Sequence, residues 1–142
     1  MKLLVAVDGS PPALSAVTDA IDLLKLLAVT PNSISLISVH DDIVLRRVEA
    51  FVGHDAIADY LLERSELELE PAIELLDAAG IKAEVLIRTG HVAHELVEAS
   101  KAGHFDLIVL GSKGRGAIRD LIIGSVAQRV LAMAPGPVLL VK

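Results

Sequence analysis

Cysteine is absent from the 142-residue chain, and aromatic residues are scarce, with two Phe, one Tyr and no Trp. The absence of cysteine excludes disulfides, thiolate catalysis and cysteine-ligated zinc, and it favours a cytoplasmic location. Few aromatic rings and a formal net charge of −6 argue against nucleic acid as a partner, because binding to it relies on basic side chains and stacking platforms. The apolar run at 3–7 ends at Asp8 and is too short for a signal peptide or a membrane span, so no membrane partner is expected.

Aliphatic residues dominate instead, and their spacing predicts a single α/β domain over residues 1–142. Apolar runs predict buried strands, and apolar residues three and four apart predict helices, the first of them capped by Ser10. Strands alternating with helices favour a doubly wound five-stranded parallel sheet with helices on both faces. The predicted strands lie at 3–8, 34–40, 81–90, 105–112 and 135–142, and the predicted helices at 10–29, 55–79, 91–103 and 125–134.

Two segments fit this alternation less well. Residues 41–54 show no clear period and predict a long irregular connection. Within the helix predicted at 55–79, Pro71 indicates a kink or a split. Its apolar face is expected to include Tyr60 and Leu67, and its glutamates predict a solvent-exposed face at positions 63, 66, 68, 70 and 74.

Two predicted strand ends carry residues suited to an anion. The first strand ends in Asp8, Gly9 and Ser10, and the fourth runs into the stretch 111–125. Its glycines permit positive φ and leave no side chain in the way, so backbone N–H groups can converge on a phosphate. A helix N-terminus at the end of this stretch favours the same ligand. The stretch therefore predicts a two-part phosphate cradle, whose nearby positive charges are Lys113, Arg115 and Arg119.

The same residues have plainer interpretations. The order of glycines and lysine matches neither the Walker loop nor the dinucleotide-binding fingerprint, so the stretch at 111–125 is also compatible with an empty, flexible turn. Asp8 and Ser125 are also compatible with simple helix capping. The pairs His91 with His94 and Asp41 with Asp42 lack a third ligand nearby and favour solvated side chains. No metal site and no catalytic residue are therefore assigned.

Several motifs together resemble the universal stress protein family over essentially the whole chain. They are the strand end Asp8-Gly9-Ser10, Gly90 after the third strand, the run DLIVLGS at 106–112 and the closing PVLLV. The most specific motif is G-x2-G-x9-G-[ST], the pattern of members that bind ATP. This chain meets the motif with Gly111, Gly114, Gly124 and Ser125.

The resemblance implies a sheet ordered 3-2-1-4-5 and an ATP site, with any Mg²⁺ held mainly by the phosphates. Asp8 would bind the ribose or the adenine side of the nucleotide, the backbone at Val39 and His40 would line the base, and the motif residues would hold the phosphates. Homodimers would form through the last strand, Val138 to Val141. The full predicted binding set is Asp8, Gly9, Ser10, Val39, His40, Gly111, Ser112, Lys113, Gly114, Arg115, Gly116, Gly124, Ser125 and Val126.

The expected function is that of a dimeric, ATP-binding stress or signalling protein. In it, nucleotide occupancy would bias residues 41–54 and thereby the recognition of an unknown signalling partner. Two alternatives stay open at this point. One is slow ATP hydrolysis or transfer of a phosphoryl or adenylyl group, and the other is a structural dimer whose glycine stretch holds no nucleotide.

Overall fold

A computed structural model describes residues 1–114 and 122–142 of the chain. Its five strands form one parallel sheet in the order β3-β2-β1-β4-β5. The predicted α/β class, the doubly wound parallel sheet and its strand order are confirmed. The elements are β1 (Lys2–Ala6), α1 (Pro11–Leu26), β2 (Ser33–Asp41), α2 (Asp42–Val52), α3 (His54–Ala78), β3 (Glu84–Gly90), α4 (Val92–Ala102), β4 (Leu107–Gly111), α5 (Ser125–Met133) and β5 (Val138–Val141).

Helices cover both faces of the sheet, because successive side chains of each strand point to opposite sides. Leu3 and Val5 of β1 pack with α1 and α3, whereas Leu4 packs with α4 and α5. All three are fully buried. We call these two sides the α1–α3 face and the α4–α5 face. In the described ranges, the helices include none that combines the length and apolar character needed to cross a membrane.

Residues 41–54 are largely helical, and the prediction of an irregular connection is wrong. Asp41 caps α2 by accepting a hydrogen bond from the backbone N–H of Ile43 at 2.9 Å. Gly53, with φ of 85°, ends the helix. Leu45 is buried, whereas Phe51 is 90% exposed. Since α2 packs on the molecule through so little of its surface, the core imposes no clear apolar period on its sequence.

Helix α3 also differs from its prediction. It runs without a break through Pro71, so the proline does not split it. Glu68, predicted on the exposed face, is only 7% exposed, whereas Leu67, predicted on the apolar face, is 64% exposed, and Tyr60 is exposed as well. The buried side of this helix includes the polar residues Ser65 and Glu68. Polar residues in a buried stripe blur the apolar spacing that the sequence-based assignment used.

A close approach between α1 and β4 depends on Gly111, the last residue of β4. A Cβ added at Gly111 would lie 2.8 Å from the backbone carbonyl carbon of Pro12 and 2.8 Å from its Cβ. Such distances are too short for real contacts, so the absence of a side chain at Gly111 lets α1 sit directly against the end of β4. This packing places the start of α1 beside the edge of the sheet at which the candidate site lies.

We expect Gly111→Ala to lower the free energy of unfolding by about 1–3 kcal/mol, because Pro12 must move to make room for the new Cβ. Urea unfolding followed by circular dichroism measures the change. Gly136→Ala is the matched control, since a Cβ there meets nothing within 4 Å. Equal stability of the two variants would contradict the close approach.

Candidate functional site

A cavity of about 380 Å³ opens at the carboxyl ends of the strands, on the α4–α5 face. Pairing of β1 with β2 stops at Ala6 and Ile37, whereas β2 continues to Asp41 and β4 to Gly111. β2 therefore runs well past the end of β1, whereas β4 has the same length as β1, and a crevice opens beyond the last residue of β1. In open α/β sheets, ligands bind at such a place, where the strand order reverses.

The end of β1 forms one wall of the crevice. Gly9, with φ of 79°, turns the chain sharply, and the Asp8 carboxylate accepts a hydrogen bond from the N–H of Ser10 through Oδ1 at 2.9 Å. Ser10 in turn caps α1, as predicted, by accepting from the N–H of Ala13 at 3.3 Å. A Cβ built at Gly114 would lie 2.8 Å from Asp8 Oδ2. The carboxylate of Asp8 therefore faces the glycine stretch across the crevice.

The opposite wall brings together two parts of the glycine stretch. The N–H of Gly124 donates to the carbonyl of Ser112 at 2.6 Å, and the N–H of Ser112 donates to the carbonyl of Val141 at 2.7 Å. These bonds join the end of β4, the start of α5 and the end of β5. A Cβ at Gly124 would lie 3.3 Å from the Cα of Lys113, so the two parts approach closely.

The glycines act through their missing side chains, because neither Gly111 nor Gly114 adopts the positive φ that glycine permits. At both positions the missing side chain leaves room for a neighbouring group. Gly111 admits α1, and Gly114 leaves space in front of Asp8. Any side chain at Gly114 would fill the part of the cavity that faces the carboxylate.

Helix α5 begins at the cavity with Gly124 as its N-cap and no side-chain cap bond. Ser125 is the first helical residue, and Ser125 and Val126 both line the cavity. The first N–H groups of a helix lack partners within it, and the helix dipole makes this end positive. Lys113 adds a formal charge at the same wall. This part of the cavity is therefore suited to an anion such as a phosphate.

The rest of the cavity is apolar. Its side walls come from β2, the start of α4 and the start of α5, and Val39 and Val126 are the predicted residues among them. The sequence-based assignment missed the others, although the alternation of β2 places Ile37 on the same face as Val39. The missed lining residues are Ala6, Val7, Ala13, Ile37, Val92, Leu96, Leu110 and Ala127.

Of the fourteen predicted binding residues, nine line this cavity, three do not line it, and two lie outside the described residues. Gly9 and Ser10 shape the turn behind Asp8, and His40 points away from the cavity. Arg115 and Gly116, like Arg119, lie outside the described residues. The nine that line it are Asp8, Val39, Gly111, Ser112, Lys113, Gly114, Gly124, Ser125 and Val126.

His40 belongs to a buried polar cluster on the α1–α3 face. Its Nε2 lies 2.7 Å from Ser65 Oγ on α3, and Ser38 Oγ donates to Glu68 Oε2 at 3.4 Å. Glu68 also accepts from Arg64 Nε at 2.9 Å. The sequence-based assignment missed this cluster, and the available signal was the polar pair Ser38 and His40, two residues apart and so on one face of the strand.

Metal-binding capacity is limited at this site. Over 1–114 and 122–142, no group of three or more His, Cys, Asp or Glu side chains is placed to hold a metal ion. His91 and His94 at the start of α4 are both exposed. Asp41 accepts from the N–H of Ile43 and Asp42 pairs with Arg46 at 3.5 Å. Each of these two carboxylates thus has a structural partner within α2.

Known proteins resemble this chain in both sequence and fold. The model of the universal stress protein family matches residues 1–142. Universal stress protein MJ0531 of Methanocaldococcus jannaschii is 30% identical over 141 residues, covering 99% of this chain and 81% of the relative. The solved structure of MJ0577 has a TM-score of 0.84 at 26% identity, covering 99% of this chain and 94% of that one. A universal stress protein from Archaeoglobus fulgidus in complex with dAMP has a TM-score of 0.68 at 22% identity, covering 100% and 98%. The family match over the full length confirms the resemblance seen in the motifs: this chain belongs to the universal stress protein family.

Proposed function

We propose that the chain is an ATP-binding protein of stress response or signalling that acts as a homodimer in the cytoplasm. The observation that carries the proposal is the division of one cavity into two chemically different ends. Asp8, Gly114 and the start of α5 surround a polar end, whereas Val39 belongs to an apolar end. A nucleotide has the same division, with an anionic phosphate chain at one end and at the other a base whose flat faces pack against apolar side chains.

The bound nucleotide would lie with its base against Val39 and its phosphates near Gly114, Gly124 and Ser125. Asp8 would accept hydrogen bonds from the ribose or from the adenine side. A cavity of about 380 Å³ is within the range of small-molecule sites. The Archaeoglobus fulgidus relative in complex with dAMP supports this choice of ligand class.

Any Mg²⁺ would be held mainly by phosphate oxygens. Mg²⁺ commonly binds nucleotides in this way, keeping several waters and taking one or two carboxylates. Asp8 is the cavity-lining carboxylate among the described residues. Its position facing Gly114 suits a direct or water-mediated contact with such an ion. The ion would neutralise phosphate charge and reduce its repulsion from the carboxylate of Asp8.

Binding, rather than catalysis, is the role that the side chains support. The polar side chains lining the described cavity are those of Asp8, Ser112, Lys113 and Ser125. General acid–base catalysis needs a positioned base beside the reacting group. Among the described residues, no histidine lines the cavity. The side chain of His40 lies on the opposite face of the sheet, where it bonds Ser65.

We expect Gly114→Val to abolish ATP binding while the protein still folds. The new side chain would occupy the space between Asp8 and the phosphates, and the atom that it meets is the end of a movable carboxylate. Isothermal titration with ATP and Mg²⁺ measures the affinity, and circular dichroism verifies folding. Gly136→Val serves as the control, because Gly136 lies away from the cavity and a Cβ there meets nothing within 4 Å.

Wild-type affinity in a folded Gly114→Val variant would show that the phosphates do not lie at Gly114. Absence of ATP binding by the wild-type protein at millimolar concentration would instead overturn the proposed function itself.

The homodimer would form by antiparallel pairing of β5 with its copy. The described sheet ends at β5, and the carbonyls of Pro137 and Val141 accept hydrogen bonds from Ile108 of β4 and from Ser112, the residue after β4. Because a strand alternates, the backbone groups of Val138 and Leu140 then face the open edge. An apolar edge strand with unpaired backbone groups favours association, which covers it.

Partner recognition is assigned to residues 41–54, most of which form α2. Asp41, the cap of α2, is the last residue of β2, and Val39 of the same strand lines the cavity. Nucleotide occupancy therefore has a short route to this helix. Its exposed large apolar residues, which would contact the unknown signalling partner, are Ile43, Val48, Phe51 and Val52.

Leu139→Glu is expected to convert the dimer to a monomer, because the two-fold axis brings the new carboxylates of both strands close together. Size-exclusion chromatography with light scattering measures the mass. Val85→Glu on the other edge strand is the matched control: Val85 is 37% exposed and Leu139 36%. A Leu139→Glu variant that remains dimeric, or a Val85→Glu variant that becomes monomeric, would contradict pairing through β5.

A further inference from the structure

The cavity end of β2 has strand pairing on one side. Its ladder with β1 ends at Ile37, whose carbonyl also accepts from the N–H of Val7 at 2.8 Å. Residues 38–41 continue beyond this point and pair with the edge strand β3 as far as Gly90. The open side is the crevice itself. The segment that carries Val39 to the cavity therefore depends on contacts other than a second ladder.

Side chains on the opposite face of β2 supply such contacts. Ile37 and Val39 line the cavity, whereas Ser38 and His40 contact α3 on the α1–α3 face. Ser38 is completely buried, and so is Ser65, the partner of His40 on α3. Alternate residues of one short segment thus contact the candidate nucleotide site and α3.

The direction of the hydrogen bond between His40 and Ser65 follows from the available protons. The Ser65 hydroxyl donates to the carbonyl of Leu61, one turn earlier in α3, at 2.7 Å. A hydroxyl has one proton to donate, so Ser65 Oγ must accept from His40 Nε2. The ring therefore carries its proton on Nε2 and acts as the donor that ties the end of β2 to α3.

Burial lowers the pKa of His40 below its ordinary value of 6.5; the Glu68 carboxylate opposes this shift, and the Arg64 guanidinium adds to it. The folded protein thus binds a proton at His40 less readily than the unfolded chain does. The contribution of the neutral ring to the free energy of unfolding is fully present above pH 6.5 and falls as the pH drops below that value. Protonation of His40 therefore opposes the arrangement in which the ring is packed against α3.

Other charged groups near this end of β2 have partners of their own. These groups belong to the last residue of β2, to the start of α2 and to β3, the segments beside the ring. Glu68 and Arg64 are thus the charges whose balance acts on His40. The partnered groups are Asp41, bonded to the N–H of Ile43, Asp42, paired with Arg46, and Arg88, paired with Glu95 at 3.3 Å.

We propose that His40 is a positioning residue for the nucleotide: through its bond to Ser65 it holds the end of β2 so that Val39 lines the cavity. The inference rests on the proposed nucleotide site and adds a control to it. When the bond is lost, Val39 is no longer held in place, and nucleotide affinity falls. Protonation at Nδ1 keeps the Nε2–H donor, but burial disfavours the charged ring, so acidification weakens the packing of His40 against α3.

Two substitutions separate the bond from the proton. His40→Leu fills the same space with an apolar side chain and loses the hydrogen-bond donor. His40→Gln places an amide N–H near the position of Nε2, so the bond to Ser65 is kept without a titratable group. His94→Gln, an exposed histidine of α4, is the control for loss of a histidine elsewhere. Circular dichroism verifies that each variant folds.

Isothermal titration with ATP and Mg²⁺ at pH 7.5 and 5.5 is the test. At pH 7.5 we expect His40→Leu to bind about three- to tenfold more weakly than wild type, the effect of one lost hydrogen bond. His40→Gln should bind as wild type does. At pH 5.5 the wild-type protein should lose affinity relative to His40→Gln, whereas the His94→Gln variant should follow wild type. Protonation of ATP itself is common to all variants and cancels in these ratios.

Equal affinities of wild type, His40→Leu and His40→Gln at both pH values would overturn the inference and leave the nucleotide site intact. Absence of wild-type binding at both pH values would overturn the proposed function and, with it, the role of His40 toward a nucleotide. Should His40→Leu fail to fold, the pH comparison of wild type with His40→Gln decides.

Hydrogen exchange of the ligand-free protein tests the bond separately. The amides of residues 39–41 should exchange faster in His40→Leu than in His40→Gln, because the end of β2 is released from α3. Equal exchange in both variants would show that Ser65 does not hold the strand, and the inference would fall.

Discussion

The central strand β1 ends at Ala6, whereas its neighbours β2 and β4 continue to Asp41 and Gly111. This early end of β1 is the constraint on which the site depends, because β2 runs on past it and leaves a crevice beyond the last residue of β1. The strand order 3-2-1-4-5 places the point at which the strand order reverses at the same end of β1. Asp8 and the glycine stretch, far apart in the sequence, therefore face each other.

Backbone geometry accounts for most of the polar end of the cavity. The bond from the N–H of Gly124 to the carbonyl of Ser112 holds the start of α5 beside the end of β4. Gly111 lets α1 approach this point, and Gly114 leaves room in front of Asp8. The site thus offers backbone N–H groups and space, two features well suited to a phosphate chain. The apolar end contributes contact area, but the side chains described there offer no hydrogen bonds that would distinguish one base from another.

Much of this arrangement was predictable from the sequence, and the reasons are local. Ser10 before two prolines indicated the capped start of α1, and the apolar runs indicated strands whose parallel order the resemblance supplied. The motif formed by Gly111, Gly114, Gly124 and Ser125 indicated the two-part wall of the cavity. These features depend on neighbouring residues or on a spacing that the sheet requires, so they are visible without coordinates.

The features that sequence reasoning missed depend on tertiary contacts. Helix α2 buries little surface, so its apolar residues show no period, and Phe51 remains exposed. Glu68 looked like one more solvated glutamate, yet Arg64 and Ser38 compensate for its burial. The prediction for His40 concerned its backbone, whereas its side chain lies on the other face of the sheet, and the partner of that side chain, Ser65, lies on α3. Such pairings cannot be read from a single strand.

We expect the phosphates of a nucleotide to lie between the two walls of this cavity. A crystal structure of the protein grown with ATP and Mg²⁺ tests this placement. Phosphate oxygens should lie within hydrogen-bond distance of the backbone N–H groups of Gly114, Ser125 and Val126, with the base against Val39. A nucleotide bound elsewhere on the protein, or an empty cavity at saturating ATP, would contradict it.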